Sequence, residues 1–506
     1  MPDVDGVQMD DGTAAALQQL SRLGSELTAR QPVIENRLNY LRGHHPLVYA
    51  SDEFQSYMGD RFHGFADNWC APVINSPAER MNILGIRPAG ETAADKEMQR
   101  IWRDNACDRT SSEALTVMLA AARSYALVWN NPRDEQTPRI TFERADQCVV
   151  RHDPETGEAT AGLKLWRDEK YEYATLYTPE ALWKWRRAAA RVVPEGDRPD
   201  PAVQAGGGWE PRQSAKDDTW PVPNPLGALP LVEFRNQTLL DDAPISDIDG
   251  VIAMQNAINL VWAYLMNALD YATLPQRVVT GADMPKVPVL NSDGQKVDEK
   301  PLDLDQLVKD RILWIPSESA STSEWSAARL DVFSSVIERA IEHVAAQTRT
   351  PPHYLIGRIA NLSAEALASA ETGLVSKTGE RIVYANPDVR EIHALSYLVL
   401  DNDAKARAMR GGTVLWADPQ YRALGQKVDA MMKLKQIGFP FAWIAEQYGL
   451  EPEEVARVME MREHESRMDP LAAMVDEMGR SGGAPAEPPT EPAAEPAGEP
   501  AAEPGP

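Results

Sequence analysis

The segment SAARLDVFSSVIERAIEHVAAQTRTPPHYLIGRIANLSAEALASAETGLVSKTGERI, residues Ser326 to Ile382, decides how this chain is read. Leu330, Phe333, Ile337, Ile341 and Val344 recur at three- and four-residue steps, which predicts an amphipathic helix with one apolar face. Pro351 and Pro352 cannot continue that helix, and Pro351 biases Thr350 away from the α region. A short irregular loop with Gly357 and Asn361 is expected next. Ser363 suits the cap of a second long helix, with Glu365 well placed in its first turn. Two long helices joined by a pinned loop suit a lever or a channel lining better than a catalytic pocket.

Upstream, a long helix is predicted from Ile245 to Thr273, with Val251, Met254, Ile258, Val261, Leu265 and Ala268 on one stripe. At 1.5 Å per residue it spans about 40 Å. A β-like patch follows: QRVVTG, VPVL, an NSDGQ turn at Asn291 to Gln295, and ILWIPSE. Helix, compact β insertion and returning helix form a hairpin capped by a small module. Each apolar stripe is longer than one intramolecular partner covers. Val251, Ile258, Val261, Leu265, Phe333, Ile337 and Val344 are therefore expected on a face between copies of the chain.

Elsewhere, residues 13 to 42 read as helix ending at Gly43, and Asp52 to Trp69 and Ala93 to Trp129 read as further helices. Leu115, Met118, Leu119, Ala122 and Tyr125 mark one face of the last of these. From Arg139 the period changes to β alternation, with a turn at Asp153 to Glu158; Leu182 to Arg191 returns to helix. Pro194 to Gly227 is Pro- and Gly-rich and reads as a flexible excursion or a hinge. LVEFRNQ at 231 to 237 is a short strand. Residues 420 to 467 read as helices with a turn at Gly438 to Pro440. The composition of the final stretch, GAPAEPPTEPAAEPAGEPAAEPGP, supports no core and predicts disorder with polyproline-II character.

The 506 residues suffice for two to four domains, and 43% hydrophobic content suffices for a core. Cys70, Cys107 and Cys148 are widely spaced and form no zinc or disulfide pattern. The acidic start MPDVDGVQMDDG does not read as a secretory signal. The most apolar helix is broken by Gln255, Asn256, Asn259, Asn267 and Asp270, so no membrane span is expected. The net charge of −25 argues against a chain that grips nucleic acid, even setting aside Glu487, Glu491, Glu495, Glu499 and Glu503 of the tail. It remains compatible with a conduit, since strong phosphate contacts would brake a sliding duplex. No G-x-x-x-x-G-K-[ST] occurs, so the chain is not itself an ATP-driven motor. Ser363 lies in no G-x-S-x-G elbow. The best metal-like group is His44, His45, Asp52, Glu53 and His63, whose spacing matches no helical ligand pattern. No catalytic residue, metal or cofactor is expected.

TRTPPHYLIG followed by NLSAEALASAE resembles the tailed-bacteriophage portal (connector) proteins. LTARQPVIENRLNYLRGHHPL is similar to their opening helix and Tyr-x-x-Gly-x-His phrase, and DNWCAPVINSPAERMNILGI to their Asn-Trp segment. GTVLWADPQYRALGQKVDAMMKLKQIGFPFAWIAEQYGL is similar to their C-terminal Trp-x-Asp-Pro region, so the resemblance spans residues 15 to 465. It implies a mainly α, ring-forming α+β protein with wing, stem, clip and crown.

The matching boundaries are a disordered 1–12, a wing 13–240 with loop 194–227, and stem helices 241–273 and 326–349 around a clip 274–325. A tunnel loop 350–362, a long wing helix and return 363–419, a crown 420–480 and a disordered tail 481–506 follow. Arg349, Arg358 and Asn361 would flank or sit in the tunnel loop, touching DNA, unless the two arginines bridge carboxylates of a neighbouring subunit. The resemblance further implies a twelve-subunit ring at one capsid vertex of the virion, made in the host bacterial cytoplasm. Double-stranded DNA would pass through the ring. Terminase large subunit, head–tail adaptor, major capsid and scaffolding proteins would be its partners, with no membrane involved. Rival readings are a metal-dependent hydrolase using His44, His45 and His63, or a non-viral cytosolic helical scaffold.

Overall fold

The computed structural model describes residues 11–48, 50–52, 66–189, 208–213, 219–240, 243–273, 277–280, 286–290, 296–301, 312–315, 329–356, 364–420 and 424–468. The fold is α+β. Helix α1 (Asp11–Arg42) ends at Gly43, whose φ of +83° lets the chain leave the helix where a side chain would be strained. Ala16, Leu20, Leu23 and Leu27 line one face of α1 and pack on a six-stranded antiparallel sheet. Fully burying each of these leucines stabilises the packing by about 1.5–3 kcal/mol.

The sheet runs β4 (Cys148–His152), β5 (Ala159–Arg167), β6 (Tyr171–Tyr177), β7 (Ala181–Ala188) and β8 (Glu210–Pro211), with β9 (Val222–Pro223) also on β7. Alternation places Val149, Ala161, Leu163, Ala174, Leu176 and Trp185 toward α1. The segment from Leu182, expected to be helical, is a strand. Trp183 and Trp185 share one face and pack against Trp220 at ring distances of 5.3 and 5.9 Å. That tertiary contact overrides the helix propensity of the Ala- and Arg-rich sequence. The described part of the Pro/Gly-rich stretch is likewise no free excursion. Trp209 and Trp220 pack onto the α1–sheet core, and their neighbours add two short strands to β7.

The main core surrounds α2 (Cys70–Ala78), α3 (Lys96–Asp104) and α4 (Cys107–Ala121). Residues 66 to 69, expected to be helical, have no regular structure, and 53 to 65 lie outside the described residues. Leu115, Met118 and Leu119 are buried on α4 as predicted. Tyr125 is not on that helix: Ala122 takes φ +69° and the chain turns into strand β2 (Arg123–Trp129). No glycine advertises that break. β2 is the middle of an antiparallel sheet with β10 (Leu231–Arg235) and β3 (Arg139–Glu143).

Helix α5 begins at Ile252 rather than Ile245 and runs to Thr273. Four strands follow: β11 (Arg277–Thr280), β12 (Lys286–Leu290), β13 (Lys296–Pro301) and β14 (Ile312–Ile315). β11 pairs in parallel with β14, and β12 antiparallel with β13. Helix α6 (Asp331–Thr348) returns and packs on α5. The Pro-Pro pair ends α6 as expected but also opens a short helix, α7 (Pro352–Ile356), since proline is suited to a first helical position. Ser363 lies outside the described residues.

Helix α8 (Ala364–Val399) crosses the body and is followed by α9 (Asp403–Arg410). Strand β15 (Thr413–Trp416) then pairs antiparallel with β1 (Ile83–Arg87). Gly412 is needed there, because a Cβ would lie 2.6 Å from the Arg87 carbonyl oxygen. Helices α10 (Leu424–Gln436), α11 (Phe441–Gln447) and α12 (Pro452–Met468) end the described chain, with the predicted turn at Gly438. No described helix is long and apolar enough to cross a membrane.

Candidate functional site

The polar residues that interrupt α5 fasten it to the body. Gln255 Oε1 accepts the Trp69 N–H at 2.7 Å and its Nε2 donates to the Asp67 carbonyl at 2.6 Å. Asn256 Oδ1 accepts the Tyr40 hydroxyl at 2.6 Å, and Trp262 Nε1 donates to Asp67 Oδ2 at 2.7 Å. These groups lie inside, so each needs such a partner.

His45 belongs to the same bracket. Its Nε2 lies 2.9 Å from the Tyr40 carbonyl and its Nδ1 2.9 Å from Asn259 Nδ2, and its ring stacks on Tyr40. Burial lowers its pKa, against the Tyr40 carbonyl contact. Both ring nitrogens are therefore engaged in holding α5, which removes His45 from the metal group considered above. His63 and Glu53 lie outside the described residues. No group of three potential ligands occurs among the described residues.

The seven apolar residues expected between subunits are placed differently. Val251, Ile258, Leu265, Ile337 and Val344 are buried within a single chain, and Val261 and Phe333 are half-buried. The stripes of α5 and α6 cover each other and the main core, so the buried five have no surface to offer a neighbour. On α6, Val332 and Val336 are the exposed apolar pair, each 48% accessible.

At the base of this hairpin a buried ionic cluster holds α8. Lys377 Nζ lies 3.0 Å from Asp247 Oδ2 and Arg381 Nε donates to Oδ1 at 3.0 Å; both cations are 4% accessible. Asn236 and Gln237 also donate to Asp247 Oδ1 at 2.9 and 3.0 Å. Burial acts to raise the Asp247 pKa, but Lys377 and Arg381 outweigh it and hold the carboxyl below its usual range. Sequence reading missed this cluster. Its one signal is Lys377 and Arg381 standing four apart on a helix face shared with the buried Leu374 and Thr378.

A clamp joins the start of the expected loop to α8. Arg349 caps α6 at φ +55°, and its Nη2 donates to Glu380 Oε2 at 2.9 Å. Tyr354 accepts from Arg80 Nη2 at 2.7 Å and donates to Glu371 Oε1 at 3.2 Å. Of the three loop residues singled out, Arg349 thus meets a carboxylate of its own chain. Arg358 and Asn361 lie outside the described residues.

The three cysteines are buried and unpaired. Burial pushes the Cys70 and Cys107 thiols up to about 12, and Cys148 well above its ordinary value. Iodoacetamide is accordingly expected to alkylate the native chain at least about 100-fold more slowly than the guanidinium-unfolded chain, read by mass spectrometry. Equal rates would contradict the burial.

The side chains gathered here fasten helices α5, α6 and α8 to the body. The family model described as "Phage portal protein, SPP1 Gp6-like" matches residues 21–439, and the chain belongs to that family. The family is a structural, non-enzymatic component of the capsid. The portal protein of Mycobacterium phage D29 is 26% identical over 374 residues, covering 71% of this chain and 70% of that protein. The portal protein of Mycobacterium phage L5 matches with the same identity and coverage. Among solved structures, a chain from the virion of a native gene transfer agent particle is 14% identical, covering 78% of this chain and 91% of that one. Its TM-score is 0.35.

Proposed function

We propose that twelve copies of this chain form a ring at one vertex of a phage capsid, through which double-stranded DNA enters during packaging and leaves at ejection. The family match over residues 21–439 carries this reading. In it, the body to residue 240 is the wing, α5 and α6 are the stem, and the four strands between them are the clip. Helix α8 spans the wing and α10 to α12 form the crown. The clip docks the terminase large subunit and later the head–tail adaptor, and the body meets major capsid and scaffolding proteins. The protein is made in the bacterial cytoplasm and ends in the virion.

The net charge of −25 supports a duplex that slides without gripping. The clamp at Arg349 and Tyr354 fixes the start of the loop 350–362 on α8, leaving Arg358 as the residue for a transient phosphate contact. Native mass spectrometry of purified protein is expected to give a twelve-subunit ring. A monomer or dimer as the largest species would overturn the proposal. In a packaging assay Arg358→Ala rings are expected to assemble normally and fill fewer capsids; wild-type filling would remove the loop from the channel.

A further inference from the structure

The six-stranded sheet has a second face, turned away from α1. Its end at Cys148, Val150, Tyr177 and Leu182 is covered by Leu229 and Leu231. Its other end is partly exposed and carries cations interleaved with aromatic rings. Cross-strand pairing sets Trp166, Tyr173 and Arg186 in one row and Lys164, Thr175 and Lys184 in the next. Trp166 and Tyr173 stack at 5.4 Å. Arg212, just past β8, reaches back over both rings. Its guanidinium lies 5.0 Å from the Trp166 ring centre and 5.3 Å from that of Tyr173, and its Nη2 donates to Thr175 Oγ1 at 3.4 Å. Arg186 lies 5.2 Å over Tyr171.

The carboxylates nearby are already placed. Glu143 takes Lys164 at 2.7 Å, and Asp168 accepts the Tyr173 hydroxyl at 2.8 Å. Glu210 lies 3.8 Å from Arg186, both side chains being well exposed. No carboxylate among the described residues pairs with Arg212. Burial pulls its pKa down, and only Tyr177 and Tyr173 act against that. A guanidinium stacked on rings keeps its N–H edge open, the geometry that receives a carboxylate.

We propose that this aromatic and basic face is the docking site of the chain's own C-terminal segment, residues 483–506, bound as an extended acidic polyproline strand. The segment repeats Glu-Pro every fourth residue, at Glu487, Glu491, Glu495, Glu499 and Glu503. In a polyproline-II strand the proline rings suit the flat faces of Trp and Tyr, as in aromatic-lined grooves that bind proline-rich peptides. The glutamates add what the face asks for, a carboxylate for Arg212. At 3.1 Å per residue successive glutamates stand about 12 Å apart, so one Glu-Pro step occupies Arg212 at a time and the five are interchangeable there. Residues 469–486 give the first step a tether of ~55 Å when extended, and tethering at millimolar effective concentration lets a weak contact fill the site.

The test compares full-length wild type with a full-length variant carrying Glu487→Gln, Glu491→Gln, Glu495→Gln, Glu499→Gln and Glu503→Gln, which changes no described residue. Phenylglyoxal modification of arginine is followed by mass spectrometry, with Arg109 on α4, 77% accessible, as the internal reference. Arg212 is expected to react at least about fivefold faster in the variant, once the tail no longer shields it. Equal relative rates overturn the proposal; slow reaction in both would mean that another segment, such as residues 190–207, covers the face. A dye-labelled peptide of residues 483–506 is expected to bind the same variant saturably. Adding Arg212→Gln, with its fold checked by circular dichroism, should weaken that binding at least about tenfold. No saturable binding, or the same affinity with and without Arg212, overturns the site.

Discussion

Replacing Asp247 with Ala is expected to cost about 3–5 kcal/mol, because it leaves Lys377 and Arg381 as buried cations without their carboxylate. The melting temperature should fall by about 3–5 °C, since a chain of this size loses on the order of 1 °C per kcal/mol. Lys377→Met should cost less, since Asp247 keeps Arg381 and the amides of Asn236 and Gln237. The pH dependence has a definite sign. Asp247 is held below its usual pKa in the folded chain, so its contribution is complete above about pH 4. It is lost as pH falls through the lowered value. A melting temperature for Asp247→Ala within 2 °C of wild type would show that the cluster does not hold α8.

The second large effect separates core from interface on one helix. Val344 is fully buried, so Val344→Asp places an unpaired charge in the main core at about 4 kcal/mol or more. Circular dichroism is expected to show a chain that fails to fold or melts far earlier. Val336→Asp changes a residue that is 48% accessible in the single chain. It should leave the subunit folded and, if the exposed side of α6 meets a neighbour in the ring, abolish the ring in native mass spectrometry. Rings at wild-type yield from Val336→Asp would move the interface elsewhere.

Long-period signals were legible in the sequence. Helices α1, α6 and α8, the strands after Arg139 and the β module between α5 and α6 follow from apolar spacing and turn residues alone. The failures have a common cause. Trp183 and Trp185 form a strand because Trp220, far along the chain, covers one face of it. Tyr125 leaves the helix at Ala122, an alanine in a left-handed conformation that no composition rule flags. Five of the seven residues on the apolar stripes of α5 and α6 are buried within the single chain. Periodicity says that a face is covered, not by which chain. The ionic cluster was hidden for the same reason, since Asp247 and Lys377 meet only after the intervening hairpin has folded back.

That hairpin leaves and rejoins the body at almost one point. Gln347 Nε2 donates to the Gly250 carbonyl at 3.1 Å across 97 residues of chain, and a Cβ on residue 250 would lie only 2.8 Å from that nitrogen. The two ends of the excursion are thus as close as the ends of a tight turn. The polypeptide between them is topologically a side branch: its outer part can lengthen, shorten or change sequence without altering the path of the trunk. Changes confined to the tip therefore leave the trunk, closed by its own hydrogen bonds and by the β1–β15 pairing, on the same path.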